Sequence, residues 1–390
     1  MTTLSRLLKE SWSLIEDRAD AVASYFYARL FTRHPHLRDL FPLQMTSPRE
    51  RLVKALAWLV QNMEDPARVE EYARGLGRTH RRFQVLPEHY PLVRAALLDA
   101  LRAYAGESWT REYELAWRQM FDIITQHMIG GAEADAAAGH PPFWDAEVVS
   151  HQRRTADIAV FRCRPFQPFF YRAGQYTYLE SAYRPRLWRP YSIANVPGPD
   201  NELEFHVRAV GAGWCSSALV WKLKPGDVVR LGPAQGTMTL DRQSPRDVVC
   251  VAGGTGLAPI KAIIEELASF QHNRRVTVFV GVRRRVDLYD IATLRRWEQQ
   301  LPWLRLVVGV SDEPVNEHTA AGESLGESGA AGPSLVRGAI PDLLARYGSW
   351  NADVDVFVSG PPGMVRATVD QLTALQVPVS RIKYDPFDDV

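Results

Sequence analysis

Residues 247–267 read DVVCVAGGTGLAPIKAIIEEL, an apolar run that turns through three glycines into a stretch of helical periodicity. A continuously apolar run of this length predicts a strand buried on both faces. A helix directly after it predicts a crossover to a parallel neighbour. Apolar runs and helical stretches go on alternating towards the end of the chain. We therefore predict an α/β domain with a parallel sheet at 246–390.

The turn in this stretch contains Gly253, Gly254, Thr255 and Gly256. At the start of a helix, backbone amides and the positive end of the helix dipole favour a pyrophosphate. Glycine also serves tight turns that bind nothing, so the turn alone leaves both interpretations open. A second turn, SGPPGM at 359–364, follows a later strand. Because ligands of open α/β sheets collect at the carboxyl ends of strands, this second turn favours a nucleotide site.

Two different patterns precede this domain. Short runs of period-two alternation, separated by Gly and Pro turns, predict an antiparallel β-barrel at 146–243. Before it, apolar residues recur with helical spacing, which predicts an all-α domain at 1–138. We interpret GAEADAAAGHPP at 131–142 as a linker or a frayed helix end, and 312–333 as a flexible surface loop. The predicted fold is multidomain: all-α, then antiparallel β-barrel, then α/β.

The composition argues against several classes of protein. The 390 residues have a formal net charge of +1, which gives no basic face for a nucleic-acid partner. The 3 cysteines are far apart in sequence, so neither a disulfide framework nor a thiolate cluster is predicted. The N-terminus is charged throughout, and no apolar run approaches the roughly 18 residues of a membrane span. We expect a cytoplasmic protein without an obligate membrane partner; its oligomeric state is open, with a monomer expected.

The segment RPYSIANVPG at 189–198 has a spacing suited to a planar, phosphorylated ligand. Arg189 and Tyr191 alternate, so they project to one side of an extended strand. Arg189 could pair with phosphate oxygens, Tyr191 could lie along a planar ring, and Ser192 could offer its hydroxyl to a ring nitrogen. A surface strand entering a turn would have the same pattern, so spacing alone does not decide.

His80 lies in ARGLGRTHRRF at 73–83, whose flanks have helical periodicity. It falls on the apolar face of that helix, where a lone histidine is more often a satisfied core residue than a metal ligand. Gly75 and Gly77 each cost about 1 kcal/mol relative to alanine in a helix interior. We interpret them as thinning the helix where a flat group packs.

Five motifs occur in the order typical of the ferredoxin–NADP reductase family: RPYSIANVPG, GAGWCSSAL, GGTGLAP, SGPPGM and KYDPFDD. Residues 147–390 therefore resemble that family. The resemblance implies that FAD is held by Tyr176, Arg189, Tyr191, Ser192 and Ser216, with Ser192 near the reactive ring nitrogen. It implies that NAD(P)H is seated by Gly253, Gly254, Thr255, Gly256, Gly360 and Pro361, and that Asp385 and Phe387 lie by the flavin and nicotinamide. Arg283–Arg285 could bind the 2′-phosphate of NADPH or could simply be solvated surface charges. The preference for NADH or NADPH therefore stays open.

Electrons from such a flavin need an outlet. A plant-type iron–sulfur domain needs four suitably spaced cysteines, which this chain lacks. The N-terminal domain is therefore the candidate acceptor. Its segments YFYARLFTRHPHLRDLFP, GRTHRRFQVLPEHY and AWRQMFDIITQHM resemble the globin domain of the bacterial flavohaemoglobins, and the chain shares that family's order of globin, FAD and NAD domains.

This resemblance implies haem b in the N-terminal domain, with His80 as the iron ligand. The other implied roles are haem packing by Leu76 and Phe41, a distal tyrosine at Tyr27, a distal leucine guarding the iron at Leu52, and a proximal-side tyrosine at Tyr90. Two positions depart from the family pattern. The distal glutamine has no match, since its position falls on Ser47 or Pro48, and the nearest proximal glutamate, Glu133, is one residue out of register.

The resemblance implies a nitric oxide dioxygenase, in which electrons pass from NAD(P)H through FAD to haem and the substrates are O2 and NO. A second hypothesis keeps the same electron path but serves another acceptor or donor, such as a quinone, a peroxide or a hydroxy acid. A third, a haem gas sensor or oxygen carrier, conflicts with the complete reductase module. A helical interaction domain without haem would leave the joint presence of His80, Tyr27 and Phe41 to chance.

Overall fold

The computed structural model describes residues 2–211, 213–270, 273–313, 335–348 and 353–385. These residues form two compact units, Met1–Phe143 (the first unit) and Trp144–Val390 (the second unit). The predicted fold class is confirmed: helices come first, then an antiparallel barrel, then a parallel sheet covered by helices. The domain boundaries themselves stay a prediction. Phe387 and most of the predicted loop at 312–333 lie outside the described residues.

The first unit is built from helices around one apolar core. The helices are α1 (Thr3–Ser13), α2 (Ala19–Arg33), α3 (Thr46–Asn62), α4 (Pro66–His80), α5 (His89–Ala105) and α6 (Arg111–Ala137). Their amphipathic faces bury Leu8, Leu30, Leu101 and Trp117 almost completely. Because α6 runs to Ala137, most of the segment interpreted as a linker or a frayed helix end is helix.

Helix α4 begins at a strong start signal and ends at His80. The side chain of Asp65 accepts a hydrogen bond from the Arg68 backbone N–H at 3.1 Å, and Pro66 occupies the first helical position. One turn of 3-10 helix, Arg81–Phe83, follows His80 and stops at Gln84, which has a φ of 58°. These features fix His80 at the carboxyl end of a helix that packs along α6.

The two glycines of α4 have different surroundings, and those of Gly77 contradict the interpretation that it makes room for a flat group. A Cβ at Gly77 would overlap the carbonyl oxygen of Met128 on α6 and lie 2.6 Å from its carbonyl carbon. Gly131 on α6 is equally close to the backbone of Arg74, where its Cβ would lie 2.7 Å from Cα. At Gly75 a Cβ would meet only the Arg78 guanidinium, at 3.7 Å. Gly77 therefore permits the close approach of two helices, a role that a single helix pattern cannot reveal.

Substituting these glycines should separate the two roles. Gly77→Ala is expected to lower the free energy of unfolding by about 1–3 kcal/mol, because α4 and α6 must move apart to admit a methyl group. Gly75→Ala, the matched control, should raise it by up to about 1 kcal/mol through helix propensity. Urea unfolding of the full chain, followed by helical ellipticity, measures both. Equal effects of the two substitutions would contradict this packing role.

The second unit begins with an antiparallel barrel. Its strands are β1 (Trp144–Arg153), β2 (Ile158–Pro165), β3 (Tyr176–Ser181), β4 (Arg189–Ser192), β5 (Leu203–Arg208) and β6 (Val228–Leu231), with helix α7 (Trp214–Trp221) between β5 and β6. The strand order is β4-β3-β6-β1-β2-β5. A bridge between Ile193 and Phe205 joins the two ends, so the barrel is nearly closed.

A parallel sheet completes the second unit. Its strands are β7 (Asp247–Gly253), β8 (Val276–Val282), β9 (Leu304–Val310), β10 (Val336–Arg337), β11 (Val354–Ser359) and β12 (Ile382–Lys383). Its helices are α8 (Leu257–Ala268), α9 (Ile291–Gln300), α10 (Ile340–Tyr347) and α11 (Pro362–Ala374). The order β10-β9-β8-β7-β11-β12 places the carboxyl ends of β7 and β11 side by side. In the described part of the chain, no helix combines the length and apolar character needed to cross a membrane.

Candidate functional site

Three residues predicted to contact the flavin meet at one edge of the barrel. Tyr176 on β3 pairs with Ser192 on β4, and Tyr176 also bridges to Gln235. A Cβ on Gly236 would lie 3.0 Å from the Tyr176 ring and 2.7 Å from the Asp385 carboxylate. The structure therefore brings Tyr176, Ser192 and Asp385 to the same edge, although almost 200 residues separate the last two.

Asp385 has a raised pKa at this edge of the barrel. Its Oδ1 accepts a hydrogen bond from the Thr237 backbone N–H at 3.3 Å, while burial raises the pKa of Asp385 to about 6. Burial outweighs the hydrogen bond because one amide cannot replace the hydration of a carboxylate. A carboxyl group that changes charge near pH 6 therefore lies beside the predicted flavin contacts.

Asp385→Asn should change the pH dependence of stability. The folded-state pKa lies above the unfolded value, so wild-type protein loses stability as the pH rises from about 4 through 6, when the buried carboxyl must ionise. The Asn variant avoids this loss. Its melting temperature is expected to match wild type near pH 4 and to exceed it above pH 7.

Asp353→Asn is the control with the opposite sign. Arg381 and Arg246 lower the pKa of Asp353, so its stabilising effect is present at neutral pH and is lost as the pH falls. The variant should therefore melt below wild type at pH 7 and approach it in acid. Parallel pH profiles for the two variants would refute the assignment for Asp385.

The RPYS strand faces the start of α7. The Tyr191 phenol is hydrogen-bonded to the Cys215 thiol, and burial raises the pKa of Tyr191 well above its usual value. Ser216, in the first turn of α7, donates from Oγ to the Gly213 carbonyl at 3.1 Å. Arg189 donates to the Trp188 carbonyl at 3.0 Å. The predicted flavin residues of β4 and α7 thus form one neighbourhood.

This neighbourhood fits a dinucleotide such as FAD. The guanidinium of Arg184 lies beside the start of α7, and its buried Nε has no hydrogen-bond partner among the described residues. A buried unpaired donor, positive charge and the amides at a helix start together suit a phosphate group. The phenol of Tyr191 suits a planar ring next to it.

The two glycine-rich turns lie against each other at the carboxyl ends of β7 and β11. A Cβ on Gly253 would lie 3.1 Å from the Pro361 ring, and one on Gly256 would overlap the Ser359 carbonyl and lie 2.6 Å from the Gly360 nitrogen. Gly254 has a φ of 54°, a left-handed conformation that glycine adopts without strain. Four separately predicted coenzyme residues, Gly253, Gly256, Gly360 and Pro361, therefore form one continuous backbone surface.

A buried polar network that no sequence motif predicted links the barrel to the parallel-sheet domain. His206 on β5 donates from Nε2 to Glu204 at 2.9 Å and accepts at Nδ1 from the Tyr289 hydroxyl at 2.7 Å. Glu204 also pairs with Lys261 on α8 and with Arg162 on β2, the latter at 2.8 Å. Burial alone would raise the pKa of Glu204, but the His206 hydrogen bond and the Lys261 charge lower it overall.

A second pair of contacts extends this link. Arg208 binds Asp157 in the barrel at 2.9 Å and Asp287 after β8. Glu204, His206 and Arg208 alternate along β5, and this row of ionisable residues with period two was the sequence signal available. The network holds the head of α8, with its glycine turn, in a fixed position relative to the barrel.

In the first unit, His80 has the geometry of a metal ligand. Its Nδ1–H donates to the Leu76 carbonyl at 2.7 Å, so the lone pair of Nε2 is available for a metal ion. Burial lowers the pKa of His80, which favours the neutral imidazole that metals bind. The Phe83 ring lies edge-on at 6.2 Å. The carbonyl of Leu76 thus orients the ring from the side opposite Nε2.

Tyr27 forms the centre of an aromatic cluster on α2. Its ring lies 5.4 Å from Phe41 and 5.8 Å from Phe31, and its hydroxyl donates to the Pro48 carbonyl at 3.2 Å. Burial raises the pKa of Tyr27, so it remains a protonated donor. Pro48 is one of the two positions where the family's distal glutamine has no match. A backbone carbonyl there engages the phenol instead.

The remaining predicted residues of the first unit have mixed surroundings. Phe41, Leu52 and Leu76 are half-buried hydrophobic residues packed against the core, and their remaining exposed surface suits an apolar group such as haem. Tyr90 is buried on α5, and burial raises its pKa. Glu133 is exposed on α6, and its role at the histidine stays a prediction.

Three family matches cover most of the chain. The globin family matches residues 24–128, the oxidoreductase FAD-binding domain residues 145–240, and the oxidoreductase NAD-binding domain residues 250–370. The flavohemoprotein of Deinococcus radiodurans is 28% identical over 400 residues, covering 96% of this chain and 94% of that protein. The ferredoxin–NAD(P)+ reductase component of a Pseudomonas putida naphthalene 1,2-dioxygenase system is 30% identical over 256 residues, covering 65% of this chain and 72% of that protein.

Solved structures share this architecture. A flavohemoglobin from Malassezia yamatoensis, solved with bound FAD and heme, has a TM-score of 0.72 at 17% identity, covering 99% of this chain and 98% of that one. The FAD/NAD-binding domain of a Vibrio cholerae nitric oxide dioxygenase has a TM-score of 0.52 at 23% identity, covering 63% of this chain and 98% of that one. Globin, FAD-binding and NAD-binding domains thus follow one another as in these relatives, and the chain belongs to the flavohaemoglobin family.

Proposed function

We propose that this protein is a cytoplasmic nitric oxide dioxygenase that uses NAD(P)H, FAD and haem. The net reaction, 2 NO + 2 O2 + NAD(P)H → 2 NO3− + NAD(P)+ + H+, balances in atoms and charge. One observation carries the proposal. A histidine whose Nδ1–H is bonded to a carbonyl, so that its Nε2 lone pair can ligate a metal, belongs to the same chain as FAD-binding and NAD-binding oxidoreductase domains, which gives flavin electrons an outlet.

When bound, FAD splits a hydride into single electrons, and haem binds O2 and supplies the redox centre for NO oxidation. The chain's own residues prepare the first of these sites. The adjoining turns at Gly253–Gly256 and Gly360–Pro361 offer backbone amides to the coenzyme pyrophosphate. Arg189 and the start of α7 would bind flavin phosphates, Tyr191 would pack along the flavin ring, and Ser192 would offer its hydroxyl to the reactive nitrogen.

At the haem site, His80 and Tyr27 have complementary tasks. The hydrogen bond from Nδ1 to the Leu76 carbonyl sets the orientation of the His80 ring and leaves Nε2 as the atom that would ligate the iron. Tyr27 stays protonated and can donate one hydrogen bond into the pocket. It does so only by releasing the Pro48 carbonyl, so ligand stabilisation by Tyr27 competes with a bond already made.

The decisive test is NO consumption by the purified full chain with NAD(P)H, with and without O2. We expect O2-dependent NO loss, one nitrate for each NO and one NAD(P)H oxidised for every two NO. The control is free FAD at the same concentration with the same coenzyme. NO loss no faster than this control would refute the proposed activity.

Tyr27→Phe tests the distal donor directly. The reduced variant is expected to release O2 about tenfold faster than wild type, because it lacks the phenol donor. Flash photolysis or stopped-flow displacement measures the rate. The matched control is Tyr25→Phe, since Tyr25 lies on the same helix with its ring against Tyr104 at 6.0 Å. If Tyr27→Phe leaves the O2 release rate unchanged, Tyr27 remains bound to Pro48 and has no part in holding O2.

The contact between Tyr27 and Pro48 also favours a second candidate, in which the same electron path serves another acceptor such as a quinone. A distal donor engaged by a carbonyl, and a proximal histidine bonded to a carbonyl rather than a carboxylate, both weaken the case for fast O2 chemistry. This candidate predicts quinone-dependent NAD(P)H oxidation that exceeds the NO-dependent rate at saturating substrates.

A further inference from the structure

A tryptophan at the start of α7 has no assigned role. Trp214 is the first residue of the helix, and its side chain remains 53% exposed. The guanidinium of Arg184 lies over its ring, 5.1 Å from the centroid. One arginine can cover only one ring face, and the large exposed fraction of Trp214 leaves ring surface that a planar partner could reach.

Trp214 lies next to the residues that fit the dinucleotide. The following residue, Cys215, is hydrogen-bonded to Tyr191, and the charges of Arg189 and Arg184 both lower the pKa of Cys215, although burial raises it overall. The start of α7 therefore has a buried side, towards Tyr191, and an exposed side, at Trp214. A ligand with its flavin ring along Tyr191 and its phosphates at the helix start would have Trp214 next to those phosphates.

The charges at this position also suit an adenylate. The Nε of Arg184 is buried without a hydrogen-bond partner in the described part of the chain, while its Nη1 donates to the Tyr183 carbonyl at 2.9 Å. The nearby carboxylate of Glu180 is already engaged by the Arg186 backbone N–H and by Arg230 at 3.8 Å. Positive charge therefore remains available beside the exposed tryptophan ring.

We propose that Trp214, supported by Arg184, stacks on the adenine of FAD and makes the site select FAD over FMN. This inference rests on the proposed binding of FAD by the second unit. Stacking suits a base because every purine presents a π-face, and it requires no hydrogen-bond pattern. FMN lacks the adenylate and so gains nothing from Trp214.

The test is a titration of the flavin-depleted full chain with FAD and with FMN, followed by quenching of flavin fluorescence. Trp214→Ala should weaken FAD binding about tenfold and leave FMN binding within about twofold of wild type. Trp214→Phe should recover most of the FAD affinity. Arg184→Met should weaken FAD binding more than FMN binding, because the stack loses its support.

Trp221 is the matched control. It is the last residue of the same helix, is 54% exposed, and donates from its indole to the Ala156 carbonyl at 3.1 Å. Trp221→Ala should leave the affinities for both flavins unchanged. Unchanged FAD affinity in Trp214→Ala, or equal losses for FAD and FMN, would overturn the adenine contact alone. Failure of wild-type protein to bind either flavin would instead overturn the proposed function.

Discussion

His80→Ala is expected to yield a protein without haem that still reduces dyes with NAD(P)H. The substitution removes the imidazole whose Nε2 is free and whose Nδ1 is fixed by the Leu76 carbonyl. Loss of a hydrogen bond that merely supports a metal ligand costs roughly 10–100-fold in affinity, so loss of the ligand itself should cost more. The Soret band of the purified protein and its haem-to-flavin ratio measure the effect.

The reductase activity should survive because the second unit is a compact body with its own cores. The control is His89→Ala. His89 lies in the first unit at the start of α5 and accepts at Nδ1 from the Leu86 backbone N–H at 3.1 Å. This variant should retain haem. An undiminished Soret band in His80→Ala would show that another residue ligates the iron.

The fold was predictable because the periodicity of apolar residues changes twice along the chain. Helical spacing and period-two alternation each favour one type of element, and the glycine turns and helices beside the continuous apolar runs favour buried strands; the structure has all three patterns in the predicted order. Small residues left one segment ambiguous. Gly131 and the alanines after it suited a linker or a frayed helix end, and the structure continues them as α6, where Gly131 packs on α4.

The roles of the glycines could not be determined from the sequence alone. At Gly77 the missing side chain faces a neighbouring helix, whereas at Gly253 and Gly256 it faces a neighbouring turn. The sequence pattern identifies a glycine at a position where a Cβ would not fit. It does not show whether a helix or a turn packs against that glycine. That surface depends on contacts between residues far apart in the sequence, about 50 residues in the first case and about 100 in the second.

Site residues could be predicted where they belong to a sequence motif. They could not be predicted where only a tertiary contact brings them into the site. The register of β3 and β4 brought Tyr176 to Ser192 as their separate motifs required. The Pro48 carbonyl on Tyr27 could not be foreseen, because a backbone acceptor has no sequence signature. The network around His206 had only the alternating ionisable residues of β5 as a sequence signal, because its other members come from three further segments.

Gly256→Ala is expected to slow reduction of the flavin by NAD(P)H about 100-fold while haem and FAD stay bound. The backbone φ at Gly256 is −60°, which alanine adopts freely, so the effect comes from contact alone. Its Cβ would overlap the Ser359 carbonyl and must push the β7–α8 turn away from the β11–α11 turn. A displacement of about 1 Å in a positioning group can cost about 100-fold in rate, and both turns are proposed to hold the coenzyme.

Anaerobic stopped-flow measurement of flavin bleaching gives this rate, and its dependence on coenzyme concentration separates weaker binding from slower transfer. Gly363→Ala is the matched control, because a Cβ there meets nothing within 4 Å and the residue lies in the first turn of α11. The Gly363→Ala protein should reduce its flavin at the wild-type rate.

Dithionite should reduce the flavin of Gly256→Ala as readily as that of wild type, since the substitution affects only the coenzyme surface. Wild-type reduction rates in Gly256→Ala would mean that the two turns do not hold the coenzyme. Equal losses in both glycine variants would point instead to a general loosening of the parallel-sheet domain.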